Sequence, residues 1–452
     1  MTNPFVIILT AKKLPATEGL PSLTRVVSKR VILPGLSLFA LTVHLVFLGL
    51  LPNRWTQNES TDYFSFYEPV ARNLVQGKGL VTSDGSPAVR YPPGYPLILA
   101  GLIKVARSSG LREPVVLWTF IALVVMITPI LVYAITAAVF EQGVALLAAV
   151  LWSTYPFYLW LTKQPNSEIP FFLFFFLALY LFVRSMEVHR FAAWLGFAVG
   201  VSVGIASLIR PIALALSGAL LLALWFSGRV WTVRQWAFFS ALLLFGNVLV
   251  VLPWELWACE KTGHWVLLST GGPPSIVDGL TFALKERGNG NTLSLSPEVR
   301  TLMQDVKDQG EQLQSTAAIG TFLAKKSENE PSAVMKLILL KAKRAWYAND
   351  TQLLEHWVVL LQAPYLLLAA VGGVVASKLG FGQRRLTLIV LLVTGYLWIM
   401  TIVGLSILRY MVPAMGLLMP FVSLTVVAVG KVLYQWTRKQ VPVNNRQGLE
   451  SI

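Results

Sequence analysis

Residues 165–184 read PNSEIPFFLFFFLALYLFVR: a polar opening, an apolar and aromatic run from Ile169 to Val183, and then Arg184. No charged residue interrupts the run, so as a helix it has no face to turn toward water. Its length approaches the roughly twenty residues that a helix needs to cross hydrocarbon. With the run at 165–183, similar segments at 31–52, 114–139, 143–162, 191–209, 211–227, 235–254, 355–377, 386–408 and 410–431 predict an all-α polytopic membrane protein. The expected count is about ten spanning helices, with extracytoplasmic juxtamembrane helices between them.

Composition agrees. The chain has 452 residues, 55% of them apolar and 13% charged, against roughly 25% charged in soluble domains. The net charge of +15 would suggest nucleic acid in a soluble protein. Here the basic residues sit beside apolar runs, where anionic lipid headgroups meet them, so membrane lipids are the expected partner and nucleic acid is not. The single cysteine, Cys259, excludes an internal disulfide framework, and His44, His189, His264 and His356 lack paired metal-ligand spacing. About thirty polar or mixed residues carrying Lys12, Lys13, Arg25, Lys29 and Arg30 precede the first run, which argues for an uncleaved first span behind a basic tail.

Charge also orients the chain. Connections holding Arg184 and Arg190, Arg229 and Arg234, and Lys378, Arg384 and Arg385 alternate with turns holding one basic residue each, Lys163, Arg210 and Arg409. By the positive-inside rule the first set is cytoplasmic, as are both tails, 1–30 and 436–452. The turn at Phe140–Gln142 carries no Lys or Arg and gives this arrangement no support. The membrane domain is then 31–435, with two extracytoplasmic loops, 53–113 and 255–354. Tyr95–Ala106 is too short to cross and is expected to lie along the membrane. In the second loop, Lys285–Ser296 and Asp305–Gln314 read as loop and amphipathic helix. The multi-pass protein is expected in a cell or inner membrane, with its chemistry on the extracytoplasmic face.

Transporters and flippases place ionisable groups inside the bilayer and show repeated halves. Here only His44 sits deep in a span, no repeat is visible, and Asp62, Asp84, Arg90, Glu168, Arg210, Lys341, Lys343, Arg344 and Arg409 gather at one boundary. That asymmetry favours an interfacial enzyme. A membrane transporter and a non-catalytic subunit of the same fold are the alternatives.

The stretch from Thr61-Asp62-Tyr63 to Arg72-Asn73-Leu74, followed by Gly77-Lys78-Gly79, resembles the first outer loop of GT-C glycosyltransferases. Arg90-Tyr91-Pro92-Pro93-Gly94-Tyr95-Pro96 is similar to the "R-x-P-P-G-Y-P" element of bacterial members related to protein O-mannosyltransferases and aminoarabinose transferases. Asn166-Ser167-Glu168, Leu208-Ile209-Arg210-Pro211, Pro253-Trp254-Glu255-Leu256-Trp257 and Arg409-Tyr410-Met411-Val412-Pro413 resemble later elements in family order. There are two departures. Tyr63 follows Asp62 where the family often has Glu, and Trp257 stands where an Arg is common.

The resemblance implies a GT-C-like fold and an inverting transfer of a sugar from a polyprenyl-monophosphate donor to a hydroxyl or amine of a glycan, lipid or protein acceptor in the cell envelope. Asp62 would be the general base, with Glu168 a second carboxylate. Arg210 and Arg409 would hold the donor phosphate, followed by Lys341, Lys343 and Arg344. Arg90, Tyr91, Pro93 and Tyr95 would support the loop. Each role has a plainer reading. Asp62 is a good helix N-cap, Glu168 can cap or solvate the start of its span, and Arg210 can snorkel to the interface. The aromatics Tyr63, Phe64, Phe66 and Tyr67 read as interfacial packing. Some relatives use a divalent metal, but no DxD or His cluster is present, so no cofactor beyond the lipid-linked donor is expected. The Asn58 and Asn349 glycosylation triplets carry no weight.

Overall fold

The computed structural model describes residues 29–52, 62–187, 192–227, 231–285 and 293–440. Most of both expected tails (1–28 and 441–452), residues 53–61 with Thr61 and the Asn58 triplet, and Arg190 and Arg229 lie outside the described residues. The described chain is almost wholly helical, with one isolated bridge between Val81 and Pro87. In order the helices are α1 (Lys29–Leu50), α2 (Glu68–Val75), α3 (Gly94–Ser109), α4 (Glu113–Ala137), α5 (Gln142–Ser153), α6 (Pro156–Thr162), α7 (Glu168–Ser185), α8 (Ala192–Ile209) and α9 (Leu216–Phe226). There follow α10 (Val233–Thr262), α11 (Gly272–Thr281), α12 (Pro297–Asp308), α13 (Thr316–Asn329), α14 (Pro331–Arg344), α15 (Glu355–Leu379), α16 (Phe381–Val403) and α17 (Leu408–Gln440).

Seven of these, α1, α4, α7, α10, α15, α16 and α17, are long and apolar enough to cross a membrane; α5 and α6, bent by 50°, make an eighth if they form one span, and α8 and α9 are shorter apolar helices. These ten units coincide with the ten expected segments. The bend falls at Tyr155-Pro156, where proline removes a helical donor and crowds the preceding turn. The expected amphipathic helix at Asp305–Gln314 is corrected: α12 begins at Pro297, and Asp305–Gln314 holds only its last turn and the bend that follows. Its apolar positions, Val299, Leu302, Met303 and Val306, recur at helical spacing ahead of that polar stretch.

Small residues and mutually bonded polar groups pack the spans, as expected where lipid removes any hydrophobic drive between helices. A Cβ on Gly200 of α8 would fall 1.9 Å from the Leu243 carbonyl of α10, so only glycine permits that approach. The largest core centres on α7, where Phe171, Phe172, Phe175, Phe176 and Phe182 are buried against Trp152 and α17. Inside it, Tyr155 donates to Gln362 at 2.6 Å, the Tyr158 and Thr128 hydroxyls bond at 2.8 Å, and His44 pairs with Thr162 at 3.1 Å.

Helices α11 to α14 form a separate layer with its own core of Leu280, Phe282, Leu302, Met303, Val306, Ile319 and Leu337. The first loop is clipped at several points. Arg72 bonds Glu68 and Glu113 at 2.7 and 2.9 Å. The Asn73 amide donates to the Val81 and Thr82 carbonyls. The two loops meet where Thr270 N and Gly271 N donate to the Val89 and Arg90 carbonyls.

Candidate active site

Asp62 opens a π-helical turn, Tyr63–Tyr67, that runs directly into α2. It occupies the N-cap position but makes no side-chain capping bond. Its Oδ1 accepts from the Tyr91 hydroxyl at 2.9 Å. Such π turns recur at functional sites because the extra residue re-aims neighbouring side chains. Tyr91 sits among aromatics, edge-on to Phe66 at 5.1 Å and tilted against Tyr67 at 5.3 Å, while Tyr67 meets Tyr95 edge-on at 5.0 Å. The Arg90 guanidinium lies over the Tyr91 ring at 5.4 Å. Burial, then the Asp62 carboxylate, push the Tyr91 hydroxyl up to about 12, so it remains a donor at ordinary pH. Burial likewise raises Tyr67 well above the usual phenol range, against the opposing pull of Arg210.

Tyr67 connects this cluster to the next motif, its hydroxyl lying within reach of Ser167, Arg210 and Glu168. Ser167 Oγ accepts from Arg210 Nη1 at 2.9 Å. The same Nη1 stands 2.7 Å from Glu168 Oε1, which Arg409 Nε engages as well. Glu168 is 2% exposed, and its Oε2 has no protein partner among the described residues. It follows the N-cap Ser167 and forms an ion triad with the two partly buried arginines, a different arrangement from a solvated helix start. Two cations on one carboxylate leave the triad with one formal positive charge. The Tyr410 ring stacks under Arg210 at 5.1 Å.

Backbone packing sets this register. Pro93 is the N-cap of α3, and a Cβ on Gly94 would fall 2.6 Å from the Leu208 carbonyl. The start of α3 therefore rests directly on the last turn of α8, two residues before Arg210. Farther out, Trp254 Nε1 donates to the Leu268 carbonyl, Glu255 accepts from Leu268 N, and Trp254 stacks on Trp257 at 5.1 Å. The Pro253–Trp257 element thus holds the 268–271 turn that bonds Val89 and Arg90.

The structure brings Asp62, Glu168, Arg210, Arg409, Tyr91 and Tyr95 into one linked network. Lys341, Lys343 and Arg344 are engaged differently. Arg344 closes both fork nitrogens on Glu355 at 2.9 and 2.8 Å and stacks on Phe282. Lys341 Nζ donates to the Gly404 carbonyl at 2.9 Å, and Lys343 faces solvent. Burial lowers Lys341 to about 7.

Sequence reasoning gave no role to Tyr67, Ser167, Tyr410 or Asp350. Asp350 is open to solvent yet walled by protein, and burial raises its carboxyl; the charges of Arg409, Glu168, Lys285 and Asp62 all act on it. Its one signal was an acid just ahead of a span, masked by the glycosylation triplet. Among the described residues no group of three His, Cys, Asp or Glu side chains could hold a metal ion. With Asp62 on Tyr91 and Glu168 on two arginines, the acids present do not fit one.

Residues 90–257 match the family described as dolichyl-phosphate-mannose-protein mannosyltransferase. The archaeal oligosaccharyltransferase AglB from Archaeoglobus fulgidus, solved with an inhibitory peptide and a dolichol-phosphate, superposes at a TM-score of 0.56 with 13% identity, over 92% of this chain and 52% of that one. The chain therefore has the fold of these oligosaccharyltransferases. The apo form of the Archaeoglobus fulgidus oligosaccharyltransferase gives 0.56 at 12% identity over 91% and 52%. The form tethered to an acceptor peptide with the NVT sequon gives 0.53 at 14% identity over 90% and 51%. The chain spans about half the length of these oligosaccharyltransferases. No curated protein matches it. The matched family segment begins at Arg90 and ends at Trp257, and so contains three of the motifs in the network.

Proposed function

We propose that this protein is a glycosyltransferase that moves a sugar from a polyprenyl-monophosphate donor to an acceptor hydroxyl or amine on the extracytoplasmic face, with inversion. The observation that carries this reading is the linked array of Asp62, Tyr91, Tyr67, Ser167, Arg210, Glu168 and Arg409. It joins a carboxylate suited to take a proton with a partly buried arginine pair of net positive charge. The dolichol-phosphate and acceptor peptide bound by the archaeal oligosaccharyltransferases support a lipid-linked donor and leave a protein acceptor open to test.

In the proposed step Asp62 accepts the acceptor's proton as its oxygen or nitrogen bonds to the anomeric carbon. The anomeric carbon–oxygen bond breaks, and its electron pair leaves on the phosphate. Tyr91 holds Asp62 Oδ1, which leaves Oδ2 for the acceptor. Arg210 and Arg409 stabilise the phosphate as its charge grows, and their enclosure strengthens that interaction relative to water. Glu168 keeps both guanidiniums at the site and limits the excess charge to one.

The test is direct. The purified full chain in detergent is incubated with a panel of polyprenyl-phosphate sugars, and release of polyprenyl phosphate is measured. Release with one donor, abolished in Arg210→Ala and only partly restored in Arg210→Lys, supports the reading, because lysine lacks the planar fork that grips phosphate at two points. Release unaffected by Arg210→Ala refutes the phosphate assignment.

A further inference from the structure

We propose that Tyr396, on α16, is a positioning residue for Arg210: its hydroxyl closes the backbone break after Arg210 and so fixes where that guanidinium stands. The proposal rests on the reading of Arg210 as a donor-phosphate group. Helix α8 stops at Ile209 because proline at 211 supplies no N–H and disfavours helical geometry in the residue before it. Arg210 is accordingly extended, with φ −143° and ψ 124°. A single 3-10 turn, Pro211–Ala213, separates it from α9.

Such a break, in the connection between two apolar helices at the membrane boundary, takes backbone groups out of the helical ladder and leaves them needing other partners. One side chain satisfies two of them. The Tyr396 hydroxyl donates to the Ile212 carbonyl at 2.5 Å and accepts from Ala215 N at 3.0 Å. The turn is in turn tied to Arg210, whose carbonyl accepts from Ala213 N at 3.1 Å. On its other side the Leu208–Ile209 backbone rests against Gly94. The segment that bears Arg210 is therefore clamped between α3 and α16, and the α16 half of the clamp depends on one oxygen atom. A phenylalanine would fill the same apolar space but leave both backbone groups unpaired.

The test uses the full chain in detergent and polyprenyl monophosphate, without sugar, as the probe. Tyr396→Phe should weaken its affinity by about tenfold, the cost of disturbing one well-placed phosphate contact. In an Arg210→Gln background the same substitution should cause no further loss. Melting temperatures of the four proteins give an independent coupling between positions 396 and 210. Unchanged affinity in Tyr396→Phe, or an equal loss with and without Arg210, overturns the positioning role. If Arg210→Gln binds the probe normally while the two positions remain coupled in melting, the phosphate reading falls and the positioning of Arg210 stands.

Discussion

Gly94→Ala adds one methyl group at the point where the first-loop motif meets the helix that carries Arg210. The new Cβ would lie 2.6 Å from the Leu208 carbonyl oxygen, 2.7 Å from its carbon and 2.9 Å from Ile209 N, all backbone atoms that no rotamer change can move aside. Ordinary contact begins near 3.4 Å, so the end of α8 must retreat by about 0.8 Å. Arg210 Nη1 stands 2.7 Å from Glu168 and 2.9 Å from Ser167. A shift of that size carries both contacts past the roughly 3.2 Å limit of a hydrogen bond. Overpacking costs about 1–3 kcal/mol, whereas misplacing a group at the reacting centre by about 1 Å can cost about 10²-fold in rate. The expected result is a modest drop in melting temperature with a far larger loss of turnover per folded molecule. Gly101, on the exposed side of the same helix, has nothing within 4 Å of an added Cβ, so Gly101→Ala should leave activity unchanged. Normal turnover in folded Gly94→Ala would refute the claim that this contact sets the site.

Asp62→Asn should cut turnover by about 10² to 10⁴-fold while donor binding and melting temperature hold, since a lost general base changes the rate alone; Tyr91→Phe, which frees Asp62 Oδ1, should lower turnover in the same way but less. An early-melting Asp62→Asn with normal turnover would move the base elsewhere. Lys341 titrates near 7 when folded and near 10.5 when unfolded, so between those values the unfolded chain binds more protons and stability should rise with pH. Lys341→Met should flatten that slope in melting curves taken from pH 7 to 10, and an unaltered slope would exclude Lys341 as its origin. With Cys259 replaced, a cysteine at Ser83 or Ser294 should react with an impermeant reagent from outside and one at Lys378 should not; labelling at Lys378 would reverse the proposed sidedness.

The spans were legible because hydrocarbon leaves helices few choices: length and the absence of charge mark them without reference to neighbours. Their ends were less so. Helix α10 continues past 254 to Thr262, stopped by Gly263 at φ 76°, because a helix that leaves the membrane need not be apolar. The motifs located Asp62, Glu168, Arg210 and Arg409, but their pairing depends on packing between helices far apart in sequence. Glu168 was readable as an acid at a span end, not as the partner of residues 42 and 241 positions away. Tyr67 looked like any interfacial aromatic, and Tyr396 like any aromatic of a span. Their roles come from single hydroxyls meeting Ser167, Ile212 and Ala215, and hydropathy does not register a single hydroxyl.

Connectivity then decides how α3 lies. Were α3 to cross the membrane, Arg72 before it and Glu113 after it would stand on opposite faces, some 30 Å apart. They are 2.9 Å apart. Each later span would also be inverted relative to the first loop, so that Leu208, at the end of α8, could not reach Gly94; yet the two backbones are in direct contact. Helix α3 is therefore not a span. Without it, the end of α1, the starts of α4, α7, α9, α15 and α17, and the ends of α6, α8, α10 and α16 all fall on one face, whichever face that is. Asp62, Glu168, Arg210, Asp350 and Arg409 each occupy one of those ends or the loops between them. Six motifs scattered along the chain can meet because the parity of the spans returns each of them to the same side.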